Sequence, residues 1–298
     1  MTVVIKVGGA RAVDPAGALS DVATLVKGED GQAFDAASGA GPTDVVVTHG
    51  GSTAVDDTLQ RLGMEPEYVE TPSGVVGRFT DADTMEVFEM VLPGLLNTEM
   101  VAGLQSEGVD AVGLSGVDGK LLYGPRKSAV RVVEDGKKKV RRGDHSGSLK
   151  EVNADLLATL LANGYTPVVS PPMAGADDGK ITPVNTDADR SAAAIAGELD
   201  GTLILLTDVP GILEDPDDRD TLIREVETPA EWERLEEAAE GFMGRKVMAI
   251  EEALENGASE AVVADANLEN PILTALEGDG THVYPSALEG KGGAAGDG

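Results

Sequence analysis

Between a turn-rich loop, Ala174 to Lys180, and a small, apolar run, Ser191 to Leu199, stands the segment Val184-Asn185-Thr186-Asp187-Ala188-Asp189-Arg190. An Asn-x-Asp-x-Asp cluster heading a helix is costly beside a core unless its side chains are used. Capping is one use, because Asn and Asp are preferred N-caps and acids near a helix start are favoured by its macrodipole. Two other stretches argue for chemistry as well. Val3-Val4-Ile5-Lys6-Val7-Gly8-Gly9 and Val45-Val46-Val47-Thr48-His49-Gly50-Gly51 each set a glycine pair after an apolar strand pattern. Glycine lets the backbone approach a phosphate closely, and N–H groups at a helix start bind anions. Lys6, a charge inside an apolar strand, reads as an edge-strand gatekeeper or as an anion partner, and the adjoining glycines favour the second. In a parallel α/β sheet the carboxyl ends of strands share one edge, where ligands bind. The three stretches are therefore expected to meet at one anion-handling site.

The elements that must position them follow from hydrophobic period and punctuation. Strands are expected at Val3–Val7, Asp44–Thr48, Pro167–Ser170, Thr202–Thr207 and Ala261–Val263, with a strand and turn over Ala111 to Gly119 and His282–Tyr284 adding an edge. Helices are expected over residues 14 to 27, from Ser52 to Leu62, from a Thr80-Asp81-Ala82-Asp83 cap to about Gln105, over Asp155–Asn163, over Thr228–Gly257 with a break around Gly241 to Lys246, and from Pro271. Leu121 to Val152 alternates like a set of hairpins, Gly28 to Pro42 is loop-like or weakly helical, and Gly290 to Gly298 is glycine-rich and expected to be disordered. Asp208, in the turn Asp208-Val209-Pro210-Gly211-Ile212, puts a carboxylate at a strand end, and Arg78 before the Thr80 cap is suited to fork a carboxylate.

Composition limits the functions available. The 298 residues hold 53 acids against 23 bases, a formal charge of −30, and no cysteine. A disulfide framework and thiolate metal sites are excluded, and general nucleic-acid binding is disfavoured. No hydrophobic run is read as long enough to cross a bilayer, and the chain enters a strand without a leader, so a cytoplasmic location and no membrane partner are expected. Such self-repulsion is tolerable where salt screens it, since the Debye length at molar salt is about 3 Å, and a salt-rich cytoplasm is the natural setting. The charge reverses locally: residues 120 to 150 hold ten Lys or Arg against Glu134, Asp135 and Asp144, a net +7.

Taken in order, Lys6-Val7-Gly8-Gly9, His49-Gly50-Gly51, Gly77-Arg78-Phe79-Thr80-Asp81, Asn185-Thr186-Asp187-Ala188-Asp189, Thr207-Asp208-Val209-Pro210-Gly211-Ile212 and Met243-Gly244-Arg245-Lys246-Val247 resemble the amino-acid kinase family, and within it the acetylglutamate kinase branch. The match spans about residues 1 to 285. Val112 to Gly119 with Arg126-Lys127 most resembles the kinases, haloarchaeal type included, that phosphorylate glutamate or 2-aminoadipate on an amino-group carrier protein.

The resemblance implies an α/β fold, an open αβα sandwich with a mostly parallel central sheet, whose lobe 1–199 binds the acid and whose lobe 200–298 binds ATP. It implies that Lys6 holds the transferring phosphoryl group, that Lys246 neutralises charge on the ADP side and that Asp189 orients both. Gly8, Gly9, Asp208 and Gly211 fall in its nucleotide-binding positions, and Gly50, Gly51, Arg78 and Asn185 in its substrate-binding positions. The cosubstrate would be ATP with Mg2+, the ion held by phosphates and water without a protein metal cluster. The partner would be an acidic carrier protein bearing the amino acid, and the assembly a homodimer or larger homo-oligomer. A carboxylate acceptor is already ionised at neutral pH, so no general base is required and His49 reads as a loop-shaping residue. Two rivals remain: a kinase of free N-acetylglutamate, with the same lysines, and an amino-acid-sensing binding protein on the same fold.

Overall fold

The computed structural model describes residues 1–8, 16–28, 43–72, 74, 76–134, 136–239 and 242–290. Gly9, most of the Gly28–Pro42 stretch and residues 291–298 lie outside the described residues.

Strand β1 (Thr2–Val7) is followed by α1 (Ala16–Lys27), β2 (Asp44–His49), α2 (Ser52–Arg61), the short strands β3 (Tyr68–Glu70) and β4 (Val76–Arg78), α3 (Ala82–Glu89) and α4 (Asn97–Ser106). The middle of the chain gives β5 (Ala111–Gly116), β6 (Leu122–Glu134), β7 (Lys137–Gly147), β8 (Glu151–Val152), α5 (Ala154–Ala162), β9 (Thr166–Asp177), β10 (Lys180–Val184) and α6 (Ala188–Glu198). The last part gives β11 (Thr202–Thr207), β12 (Glu225–Val226), α7 (Pro229–Ala238), α8 (Phe242–Glu255), β13 (Glu260–Asp265), α9 (Pro271–Leu276) and β14 (Thr281–Val283).

The central sheet runs β12-β14-β13-β11-β1-β2-β9-β6-β7, with β5 and β10 also on β9 and β8 on β6. β1 pairs in parallel with both β11 and β2, so their carboxyl ends share one edge of the sheet. The pleat then sorts β1 by alternation. Val3, Ile5 and Val7 pack with Val22 and Leu25 of α1, Leu104 of α4 and Ile272 of α9. Val4 faces the other way, toward Ala192, Ala193 and Ile195 of α6 and Ile250 of α8. Lys6, two residues on from Val4, belongs to the face covered by α6 and α8. Helices on both faces of a mostly parallel sheet give the expected open αβα sandwich. The sheet runs unbroken past residues 199 and 200, since Val3 of β1 pairs with Thr202 of β11.

Several local expectations change. Ala174 to Lys180 is not a loop: β9 and β10 form a hairpin, Lys180 opposite Asp177, turning on Asp178 and Gly179 at φ 46° and 81°. Those angles are what a two-residue hairpin turn needs and Asp-Gly supplies; the prolines Pro171, Pro172 and Pro183 disguised the strands. β14 is not an edge, being flanked by β13 and β12. The break in the long C-terminal helix comes before Phe242, so Gly244, Arg245 and Lys246 lie in the first turns of α8. Residues 82–106 form a 25-residue helical run whose length and composition match a bilayer span, contrary to the sequence expectation. Its Met85, Val87, Phe88, Val91 and Leu92 pack with Val55 and Leu59 of α2, as a core helix does, and a widened turn accommodates Pro93 within it.

Two caps are supplied by distant or paired side chains. Asp21 of α1, 1% exposed, accepts the N–H groups of Ile272 (2.7 Å) and Leu273 (3.2 Å) at the start of α9. Thr228 and Glu231 cap the start of α7 reciprocally, with Pro229 at the first helical position.

Candidate active site

Asp187 caps α6, its carboxylate accepting the backbone N–H groups of Asp189 (2.9 Å) and Arg190 (3.1 Å). Capping and chemistry are thus divided between neighbours, Asp187 closing the helix and Asp189 facing the sheet. Lys6 Nζ pairs with Asp189 Oδ1 at 2.7 Å, and Lys246 Nζ donates to Oδ2 at 3.0 Å. The three side chains are 10%, 12% and 14% exposed for Lys6, Lys246 and Asp189, so the cluster lies just under the surface, open on one side.

Burial works to raise the Asp189 carboxyl, but the charge of Lys6, then that of Lys246, and their hydrogen bonds outweigh it and lower it to about 2. Burial and the Lys6 charge push Lys246 below the ordinary lysine value, against the pull of Asp189. With all three ionised the cluster carries one excess positive charge, partly desolvated and held in place. That is an arrangement made to receive an anion.

The glycine positions divide by role. Gly8 follows the end of β1, two residues after Lys6. Gly50 lies against the start of α6, where a Cβ would sit 3.4 Å from that of Ala188. Gly51 is required by packing, since a Cβ there would come within 2.3 Å of Leu96 Cδ1 and 2.8 Å of Leu92 Cδ2. His49, 2% exposed, donates through Nδ1 to the Gly50 carbonyl (2.9 Å) and accepts at Nε2 from Asn97 Nδ2 (3.2 Å). Asn97 also donates to the Val168 carbonyl at 2.9 Å. Burial chiefly lowers the His49 pKa, the Lys6 charge adding to it and the Gly50 bond opposing. A neutral ring with both nitrogens engaged shapes the loop and offers no base.

Arg78 ends β4, and Asn185 lies between β10 and the start of α6. The Arg78 side chain is 7% exposed and pairs with Asp56 of α2. Its second arm donates to Tyr68 Oη at 2.8 Å and to the Ser52 carbonyl at 3.4 Å. Its guanidinium carbon lies 4.9 Å from the Tyr68 ring centroid and 5.5 Å from that of Phe88. Asn185 Nδ2 donates to Thr80 Oγ1 at 3.3 Å. The foot of β7 joins these two segments, His145 N–H donating to the Thr80 carbonyl (2.7 Å) and Asn185 N–H to the His145 carbonyl (2.7 Å). Buried Asp144 accepts from Thr80 N–H (3.3 Å) and from Ser146 Oγ, and Arg126 bonds the Asp144 carbonyl, His145 and Asp177.

Sequence reading missed Asp56, Tyr68, Asp144 and His145. The Arg126-Lys127 pair was noticed, but not that Arg126 braces the foot of β7. Just past β11, Asp208 is exposed and accepts from Thr207 Oγ1 at 3.2 Å. Gly211, at φ 152°, is a close-packing position: a Cβ would meet Thr281 Oγ1 at 2.6 Å and Leu222 Cδ1 at 2.7 Å. Asp208 follows β11, whose neighbour β1 carries Lys6, whereas Gly211 is turned away toward β14. Among the described residues no group of three or more His, Cys, Asp or Glu is placed to hold a metal.

The sequence profile of the amino acid kinase family matches residues 1–265. The [LysW]-aminoadipate kinase of Thermus thermophilus is 42% identical to this chain over 94% of it and 99% of the relative. The acetylglutamate kinase of Methanopyrus kandleri is 46% identical over 80% of this chain and 91% of its own. Among solved structures, carbamate kinase from Giardia lamblia bound to AMP-PNP superposes with a TM-score of 0.64 at 17% identity, covering 95% of this chain and 98% of that one, a likeness of fold.

Proposed function

The chain belongs to the amino acid kinase family, and from that membership and the site we propose that it uses ATP to phosphorylate the side-chain carboxylate of glutamate or 2-aminoadipate carried on an amino-group carrier protein. The product is an acyl phosphate, and the step belongs to arginine or lysine biosynthesis. The observation that carries the reaction type is the convergence of Lys6 and Lys246 on Asp189 at 2.7 and 3.0 Å. A sensor on this fold has no need to bury two ammonium groups on one carboxylate.

A carboxylate oxygen of the acceptor attacks the γ-phosphorus of ATP; a new O–P bond forms as the bond to the bridging oxygen breaks and ADP leaves. No proton has to be removed, which accords with the neutral, fully engaged His49. Lys6, on the β1 edge between the two sides, holds the phosphoryl oxygens in transit. Lys246, from the carboxy-terminal part, offsets charge developing on ADP, and Asp189 holds both where that charge appears. Gly8 and Gly50 offer backbone N–H groups to phosphate and acceptor, Asp208 lies at the ATP side, and Arg78 and Asn185 take the acid. Residues 1–199 thereby serve the acid and 200–298 the nucleotide. Magnesium, held by ATP's phosphates and water, would supply further charge neutralisation.

The carrier is favoured over free N-acetylglutamate by the β6–β7 hairpin. Lys137, Lys138, Lys139 and Arg142 are exposed on β7, while its foot, Asp144 to Gly147, is built into the acid side. At about 3.3 Å per residue the basic strand reaches some 20 Å out from the acid. A small acid has no use for that reach, whereas an acidic carrier would be steered by it. We further propose a cytoplasmic, salt-adapted enzyme without nucleic-acid or membrane partners. Met90 and Leu95, 55% and 46% exposed on the 82–106 helix, support assembly as a homodimer or larger. The deciding measurement is ATP turnover with carrier-linked glutamate and aminoadipate against turnover with N-acetylglutamate. The carrier-linked acids should be used at the higher kcat/KM; preference for N-acetylglutamate would reassign the acceptor.

A further inference from the structure

The β3–β4 ribbon forms a sheet of its own, apart from the central one. Two strands alone are marginally stable, so the ribbon's position depends on what tethers it. Asp56 of α2 holds Arg78 and Tyr68 at its open end. Arg141 of β7 grips Glu67 with both arms and stacks 4.1 Å over Phe79. These tethers belong to the acid side. Near the turn, where Glu70 pairs with Val76, the tether comes from elsewhere: Arg245 Nη2, in the first turn of α8, donates to the Val76 carbonyl. Arg245 immediately precedes Lys246. One short stretch of rigid helix therefore holds both the ammonium on Asp189 and the ribbon whose last residue is Arg78.

We propose that Arg245 is a positioning residue that couples the two substrates, transmitting nucleotide binding at Lys246 to the acid-binding ribbon and the reverse. This rests on the reading of the site as one that takes an acid and ATP. A guanidinium-to-carbonyl bond is charge-assisted, hence short and directional, and α8 moves as one body over its first turn. Nucleotide that fixes Lys246 fixes Arg245 with it, and the ribbon loses the freedom that acid binding would otherwise have to remove. Coupling is reciprocal: each substrate tightens the other by the same factor.

The test uses the whole protein as wild type, Arg245→Ala and Arg245→Lys. Amide hydrogen exchange over residues 68–78 is followed with and without a non-hydrolysable ATP analogue, and titration measures analogue affinity with and without carrier-linked aminoadipate or N-acetylglutamate. In the wild type the analogue alone should slow exchange in the ribbon, and analogue and acceptor should tighten each other roughly fivefold or more. Arg245→Ala should abolish both effects while the analogue alone binds as before, and Arg245→Lys, which can still donate to Val76, should restore part of each. Unchanged coupling in Arg245→Ala, or no slowing of ribbon exchange by the analogue in the wild type, would overturn the proposal. If neither acid binds, the reading of the acceptor fails, and the exchange arm still decides the role of Arg245.

Discussion

One carboxylate pairing with two buried ammonium groups keeps its excess positive charge only while all three stay ionised, and the surroundings arrange that unevenly. Asp189, held at about 2, is charged at any pH the protein would meet. Lys246 is the vulnerable member, its pKa lowered by burial and by Lys6. Turnover should thus fall on the alkaline side earlier than an ordinary lysine near 10.4 would allow, and a kcat profile from pH 7 to 10 measures it. Lys6→Ala and Lys246→Ala should each lower kcat at least about a hundredfold, the usual loss for one preorganised electrostatic contact. Asp189→Asn should do the same while keeping the shape. Near-normal turnover in Lys246→Ala would detach α8 from the chemistry. Lys6 was legible because a charge inside an apolar strand is locally anomalous. Asp56 was not, because its importance comes from a fold that sets α2 beside Arg78, 22 positions away, and nothing around it in sequence marks that.

Elements with strong periodicity, such as β1, β2, β11 and the α6 start, were readable because burial on both faces or one face imprints itself on residue type. The β9–β10 hairpin and the β3–β4 ribbon were obscured by prolines and short length, and their pairing is a matter of tertiary register rather than local pattern. β14 likewise reads as an edge until β12 is placed beside it, and this buried position gives its histidine a definite consequence. His282, 6% exposed, bonds Glu260 Oε1 of β13 through Nδ1 at 2.6 Å and the Asp279 carbonyl through Nε2 at 3.2 Å. Burial works to lower its pKa, but the bond to Glu260, the charge of Glu260 and the Asp279 carbonyl together raise it. A folded pKa above the unfolded one, near 6.5, gives stability that is fully present below pH about 6.5 and is lost as pH rises through the folded value. The melting temperature of the wild type relative to His282→Gln should therefore be greatest in mild acid and shrink toward alkaline pH. A constant difference across pH 5 to 9 would mean that His282 acts by packing alone.

At the scale of the whole molecule the −30 charge opposes compaction everywhere except around β6–β7, where residues 120 to 150 sum to +7. Both facts were readable from composition; what the basic strand adjoins was not, since the contacts of Asp144 and His145 with Thr80 and Asn185 join segments some 40 to 65 positions apart. Raising potassium chloride from low to molar concentration should raise the unfolding midpoint, because screening removes acid–acid repulsion; a flat or falling midpoint would reject a salt-adapted surface. The same screening limits what the basic strand can do. At molar salt, with a Debye length of about 3 Å, long-range steering of a carrier is nearly gone and only groups in contact still attract. Arg141 must stay out of any test, being committed to Glu67 and Phe79. Reversing Lys137, Lys138, Lys139 and Arg142 to glutamate should raise the apparent KM for the carrier-linked acid severalfold at low salt and less at high salt. The KM for ATP should not move, since the proposed ATP side involves none of these four residues. A charge-reversed variant that used the carrier-linked acid as well as the wild type at low salt would leave the strand without a part in acceptor recognition and return the choice to a free acid.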